Sequence, residues 1–463
     1  MNNLKYSNKF YINLIIASII PFLIWGPFFP DLIVSVSVLI FLYYVFQNKN
    51  FYYFCNKPLI IFFIFCIYCL LISIFRAKDI MLSFESSLFY FRIGLFSCLI
   101  WYLIDKDKKV LIYFYYALIL CFSALVIDGY FQYFNGENLL GFKITGSSSA
   151  RVSSFFKDEL ILGSYLSRLF PLLFALFLVK KKKRFEIYFI GLLFILVDVL
   201  IFMSGERTAF FFLNLSTIFI IIFIKEYQKF RLMTFIIAIA CIFGISLNSA
   251  KLSDRMFKVP FKNMGIYQDT NNSTVSSENK STLSSETKST LSSETKSTVS
   301  SETRSTVSSE TNKPVIFTPI HDSLIRTAYN MYKDKPIFGH GPKMFRVMCN
   351  DKKYVEGKSP CMTHPHNFYV QLLAETGIIG FLFLLSALFY VFFSSLRQFK
   401  SIVLKQKRPF SDYQICLLAG ILISVWPFTP NGNFFNNWLM IVYSLPVGFY
   451  LQSIYSKKII KKI

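Results

Sequence analysis

Uncharged apolar runs long enough to cross a lipid bilayer recur along this chain, and no other feature narrows its fold as far. A helix needs about 20 apolar residues to span the hydrocarbon core. Twelve such segments are predicted, at roughly 10–26, 30–47, 58–75, 86–104, 110–128, 159–179, 186–203, 208–224, 232–248, 376–396, 412–428 and 437–455. The alternative, a soluble protein with very hydrophobic core helices, conflicts with a charged content of only 16%, where a soluble domain carries about a quarter. The first apolar stretch is long and no small-residue cleavage site follows it, so it reads as a span and not a removable leader. The expected fold is an all-α polytopic membrane protein with about twelve transmembrane helices and a large, partly helical outer loop before the last three.

The formal net charge of +23 suggests nucleic acid until its placement is read. With the N-terminus inside, the inner segments collect "DKDKK", "KKKKR", "KEYQKFR", "RQFKSIVLKQKR" and "SKKIIKKI". That side holds 24 of the 49 Lys and Arg. Short inner loops carry this excess in membrane proteins generally, so the basicity is mostly a topology signal. It places both termini inside and no nucleic acid among the partners.

Three regions follow: a membrane region 1–248 with about nine spans, an outer loop 249–375, and a membrane region 376–463 with about three spans. Within the loop, residues 273–312 are five near-identical copies of an octapeptide such as "STLSSETK". Each copy offers one aliphatic residue among small polar ones, too little burial to offset chain entropy, so a disordered insert is expected. The loop's other half, about 313–375, holds all four histidines, His321, His340, His364 and His366. Its "SLIRTAYNMYKDKPIFGHGPKMF" reads as a short helix, a turn and a second short helix. Cys349 and Cys361 share this half and form a disulfide if that face is oxidising. The other seven cysteines lie in or beside spans and read as small apolar residues.

Four arginines lie toward the outer face: Arg151, Arg207, Arg326 and Arg346. Arg207 occupies a tight "SGERT" turn between two apolar segments, on the side short of positive charge. Its partner is either a protein acid, Glu206 or Asp198, or an anionic ligand whose oxygens match a planar guanidinium. Asp198 is itself an ionisable group inside a span, functional or paired with a neighbouring arginine. Arg92 and Arg168 carry the same ambiguity. "HPH" is a poor metal pattern, since helical ligands sit three or four apart. An imidazole at the mouth of the span at 376 reads instead as a bland helix-start residue or as a general base, because it titrates near neutrality. Glu375 lies nine residues beyond His366, on the opposite face of a straight helix, so it more plausibly fixes the helix or orients an arginine than assists the imidazole. No phosphate-binding loop or nucleophile elbow occurs. Outer-face chemistry would therefore need a substrate that arrives already activated.

These residues together resemble the O-antigen ligase and O-antigen polymerase superfamily of bacterial inner-membrane glycosyltransferases. "HNFYVQLLAETGIIG" is similar to the family's His-Asn, then Glu-x-Gly-x-x-Gly signature. "RTAYNMYKDKPIFGHGPKMF" resembles its Arg, then Pro-x-x-Gly-x-Gly-x-x-x-Phe element, and "SGERTAF" its Ser-Arg-Thr/Gly-Ala turn, with Glu206 where a serine often stands. "ARVSSFFKDELILGSYL" departs most, lacking the family's Gly, Pro and Asn. The resemblance implies a glycan donor on undecaprenyl diphosphate at the periplasmic leaflet and a hydroxyl acceptor, either lipid A-core or another lipid-linked glycan. His366 would be the catalytic base, with Arg207, Arg326 and Arg151 on the diphosphate, Glu375, Asn367 and His364 in support, and neither metal nor cofactor. A lipid or sugar transporter is the reading from another class, against which stands the lack of similarity between the chain's halves.

Overall fold

The computed structural model describes residues 2–144, 151–258 and 318–456. Among the described residues, nine helices are long and apolar enough to cross a membrane: Phe28–Gln47, Lys57–Arg76, Ile80–Lys106, Lys109–Asn135, Leu162–Val179, Arg184–Met203, Gln228–Asn248, Phe368–Val403 and Asn437–Tyr455. Three shorter apolar helices, Phe10–Trp25, Arg207–Phe223 and Asp412–Ser424, bring the set to the twelve expected. Among the described residues the only β pairing is the isolated bridge Glu137–Lys143. The chain is an all-α, multi-pass membrane protein. The repeat at 273–312 lies outside the described residues.

Helix Leu162–Val179 is the axis of the bundle. Every residue of it except Ser164 is buried, and it packs on Asp412–Ser424, Arg207–Phe223 and Lys109–Asn135. Helices Phe28–Gln47, Lys57–Arg76 and Gln228–Asn248 lie at the rim. They turn Leu39, Ile64 and Phe243 outward, where lipid rather than water is the matching solvent. Arg92 is held by Asp31 at 2.6 Å and Ser35 at 2.8 Å. Arg168 bonds the Tyr443 hydroxyl at 3.1 Å and lies over the Phe212 ring.

Asp198 has a partner that the charge pattern concealed. Arg231, which sequence assigns to the inner basic set, is fully buried in helix Gln228–Asn248. Its two terminal nitrogens meet the Asp198 oxygens at 2.9 and 3.2 Å. One of them also bonds Thr217 at 2.6 Å, and the guanidinium lies 4.4 Å from the Phe170 ring centroid. Asp198 is therefore committed, and is not the partner of Arg207.

The large loop's second half forms the expected helix, turn and short helix: Pro319–Asp334, then Phe345–Met348. Thr318 caps the first helix through the His321 N–H. Its apolar face, Leu324, Ala328 and Met331, packs with Met344, Phe345 and Ala374 in a small second core. Cys349 and Cys361 are joined as a disulfide, Cα atoms 4.9 Å apart.

Candidate active site

The two signature elements meet through their backbones. The turn 336–342 crosses helix Phe368–Val403 at 374–378. His340 donates its N–H to the Ala374 carbonyl at 3.1 Å, Gly341 to Glu375 at 2.7 Å, and Ile378 to Pro336 at 2.8 Å. Such closeness requires residues without Cβ. A Cβ at Gly339 would stand 2.5 Å from the Glu375 carbonyl carbon and oxygen, and one at Gly377 would stand 2.2 Å from the Ile337 oxygen. Gly377 also leaves helical geometry, with φ 63° and ψ −163°, which breaks Phe368–Val403 into two pieces. The helix thus begins eight residues before the expected span edge at 376, and its first piece belongs to the loop. Tyr68 bolts the crossing to helix Lys57–Arg76, its hydroxyl donating to the Thr376 carbonyl at 2.7 Å and the Phe338 carbonyl at 3.3 Å.

Asn367 caps that first piece, accepting from the Tyr369 and Val370 N–H groups and donating to the Pro427 carbonyl at 2.7 Å. His366 precedes the cap with φ 56°, and its carbonyl accepts from Asn431 at 2.8 Å. Its backbone is therefore pinned on both sides. Pro365 does not separate the two rings flanking it. The His364 and His366 centroids are 4.1 Å apart, and His321 adds a third imidazole 5.2 Å from His366. His340 stands apart, buried, with Nε2 bonded to the Met331 carbonyl at 3.0 Å.

Burial, then the neighbouring His366, Arg346 and His321, pushes the His364 imidazole down to about 3. Burial likewise lowers His366, opposed by contact with the Asn431 backbone, and lowers His321 together with His366 and Arg207. All three rings are thus neutral near pH 7, each with one lone pair, and the Nδ1 atoms of His321 and His364 lie 3.0 and 2.9 Å from the Thr318 and Thr363 hydroxyls. His364, not His366, lines the adjoining cavity of about 980 Å³, together with Thr363, Arg346, Arg168 and Ser164. His364 Nε2 is buried without a hydrogen-bond partner.

Arg207, whose charge acts on His321, belongs to a cluster of cations around the turn Ser204–Gly205–Glu206. Arg151 donates to the Ser204 carbonyl at 3.2 Å and Arg255 to the Gly205 carbonyl at 3.0 Å. Arg207 opens the next helix beside them and forms no hydrogen bond or ion pair among the described residues. The obvious counter-charge is spoken for. Glu206 reaches across to the start of helix Leu162–Val179, accepting from the Gly163 and Ser164 N–H groups at 2.7 and 3.0 Å and from the Ser164 hydroxyl at 2.7 Å. A carboxylate in place of a serine here caps a buried helix terminus, and burial raises its pKa even so. Beyond burial, Arg255 depresses the pKa of both Arg151 and Arg207, and the carboxylate that offsets Arg151 and Arg255, Glu206, is already engaged.

Glu375 is buried on the far side of the crossing from His366. It accepts from the Phe345 N–H at 3.1 Å and from Gln371 at 2.9 Å, which fixes the start of the short helix carrying Arg346. Arg326 is not brought to the cluster. It lies about 140° round the loop helix from His321, its side chain 58% exposed and paired with Asp322 at 2.7 Å and Glu356 at 3.3 Å. The site thus gathers His321, Arg255 and Arg346 beside the expected His364, His366, Arg151 and Arg207.

Residues 321–385 match the family model described as O-Antigen ligase. That segment is similar to the family over 65 of the chain's 463 residues. No curated protein matches the chain. The matched segment runs from His321 through the backbone crossing to Leu385, so it includes all four histidines, Arg326, Arg346, Asn367 and Glu375. The cation cluster at 151, 207 and 255 lies outside it and is brought to it by the fold. Arg255 was hidden in sequence because long loops escape the charge bias. Its one signal was an arginine seven residues behind the expected span edge at 248.

Proposed function

We propose that this protein is an O-antigen ligase-like glycosyltransferase, acting at the periplasmic face of the bacterial inner membrane with both termini cytoplasmic. It moves a glycan from undecaprenyl diphosphate to a hydroxyl of lipid A-core. The observation that carries the reading is the cation cluster: three arginines gathered at one turn whose carboxylate is already engaged, beside neutral imidazoles. Unpaired cations held against each other are costly unless an anion completes them, and a diphosphate supplies several bidentate oxygens.

In the proposed reaction the acceptor oxygen attacks the anomeric carbon as His366 takes the hydroxyl proton. The bond between that carbon and the diphosphate oxygen breaks, and the diphosphate leaves with the electron pair. Arg207 and Arg151 stabilise the negative charge on it, an electrostatic contribution made by groups already in position. Arg326 joins them only by exchanging Asp322 and Glu356 for phosphate oxygens. His364, against the His366 ring, orients it, and Asn367 and Glu375 hold the backbone that carries both sides of the site. No metal ion or cofactor enters these steps.

The test is His366→Ala in purified protein supplied with undecaprenyl-diphosphate glycan and lipid A-core. Transfer should fall by about 10² to 10⁴, the usual worth of a general base, while donor binding persists and His364→Ala is milder. Transfer at the wild-type rate would overturn the assignment. Lipopolysaccharide from a deletion strain separates the nearest alternative: long chains left on undecaprenyl diphosphate indicate a ligase, single-repeat capping a polymerase. Movement of lipid-linked glycan between leaflets with no new glycosidic bond would show a transporter.

A further inference from the structure

A second cavity, of about 820 Å³, opens beside the one that His364 lines, and the two share Pro27, Arg346, Asn433, Asn436 and Trp438. Its chemistry is divided. One wall is Val38, Leu39 and Leu42 of helix Phe28–Gln47 with Phe89 and Phe91 facing them. Leu39 is 66% exposed and Phe89 53% exposed on the rim of the bundle, so this wall continues into the surface that meets lipid. The other wall holds Arg92, Lys343 and Arg346.

The charges there do not cancel. Arg92 is neutralised by Asp31. Lys343 has only the exposed Glu85 near it within the cavity. Arg346 forms no ion pair among the described residues, Glu375 being the buried carboxylate its charge acts on, and its Nε is buried without a hydrogen bond. Both cations sit on the segment that Glu375 fixes through the Phe345 N–H, and Lys343 adopts φ 61°, so the loop presents them in one set geometry. A volume of this size with an apolar wall and a few convergent polar groups is what a ligand site requires.

We propose that this second cavity seats the acceptor: a phosphorylated amphiphile with long hydrocarbon chains that enters sideways from the membrane between Leu39 and Phe89. Its chains lie along Val38, Leu39 and Leu42, and its anionic head meets Lys343 and Arg346. The hydroxyl it carries reaches the imidazoles past Arg346, which stands between the two cavities. This deepens the function proposed above and rests on it. The chemistry is shared by a lipid A-type acceptor and a lipid-linked glycan, so it holds for ligase and polymerase alike.

The experiment uses the full chain in lipid nanodiscs with two photoreactive probes of equal acyl length, a phosphatidic acid and a phosphatidylcholine. Phosphatidic acid should label residues 38–42 and 89–91 in preference to phosphatidylcholine. Lys343→Glu should lower that labelling about tenfold, the scale of one charge-assisted contact, and inorganic phosphate should not compete. Even labelling of rim helices such as Lys57–Arg76, labelling indifferent to Lys343→Glu, or full competition by inorganic phosphate would overturn the proposal. As a second variant, Leu42→Trp fills the apolar wall. It should raise the acceptor KM and leave the donor KM unchanged, and an equal rise in both would also overturn it. Labelling as expected in a protein that transfers no glycan would count against the proposed function and not against this cavity.

Discussion

Two arginines of this protein, Arg231 and Arg207, differ in almost everything except residue type. Arg231 is sealed inside the helix bundle, with both terminal nitrogens on Asp198, a further bond to Thr217 and an aromatic ring against its face. Arg207 sits at a helix start among other cations, and its neighbouring carboxylate is spent on a different helix. The first is an arginine whose needs the fold has met. The second has needs that the fold leaves open among the described residues, and under the proposed function a diphosphate meets them. Composition cannot make the distinction, because each is one basic residue near a span edge.

The comparison breaks most visibly at Asp198. Asp198→Ala strands a buried guanidinium and should destabilise the protein by about 3–5 kcal/mol, read as thermal unfolding in detergent. Replacing both partners, as Asp198→Leu with Arg231→Met, should recover most of that loss. A single variant as stable as wild type would show that the pair is not what holds these helices.

Arg207 should behave the opposite way. Arg207→Ala is expected to leave thermal stability unchanged and to lower transfer by about 10² to 10³, the scale seen when one positioned donor to a developing charge is removed. Arg207→Lys should rescue poorly, since the charge returns without the bidentate fork. Loss of stability with transfer intact would make Arg207 a second Arg231.

A smaller effect concerns acid. Burial holds the His366 imidazole below its ordinary value of about 6.5. The neutral, proton-accepting form therefore persists to lower pH than in free imidazole. The acid limb of kcat/KM against pH should fall below that value, and a limb above it would point to another base. The smallest effect is expected from deleting 273–312, which lies away from both signature elements in sequence. Transfer by a normally expressed deletion protein should equal wild type, and loss of transfer would give the repeat a part in the reaction.

The spans were legible because a bilayer imposes a length on every apolar run. The short loop helix was legible because Leu324, Ala328 and Met331 recur at helical spacing. The company kept by Arg207 was not. Arg151 and Arg255 reach it from distant parts of the chain, and only the fold shows that Glu206 turns toward Gly163 and Ser164. Arg231 was misleading in another way: counted with the inner lysines, it carries a charge that never meets water. The trio of imidazoles hides for a similar reason. His321 and His366 are 45 positions apart, and the loop helix that carries His321 is aimed by packing against Ala374, which no local pattern encodes.

The crossing at Gly339 and Gly377 bears on how the site admits its substrates. Tyr68 and three backbone hydrogen bonds join the turn Pro336–Pro342 to a helix rooted in the membrane. A loop fastened there has no free hinge at that end. Swinging it outward about this point would tear out all of those bonds together and carry His364 and His366 away from Asn431. The loop is in that sense a fixed wall, and under the proposed function a glycan reaches the histidines by threading past it, not by lifting it.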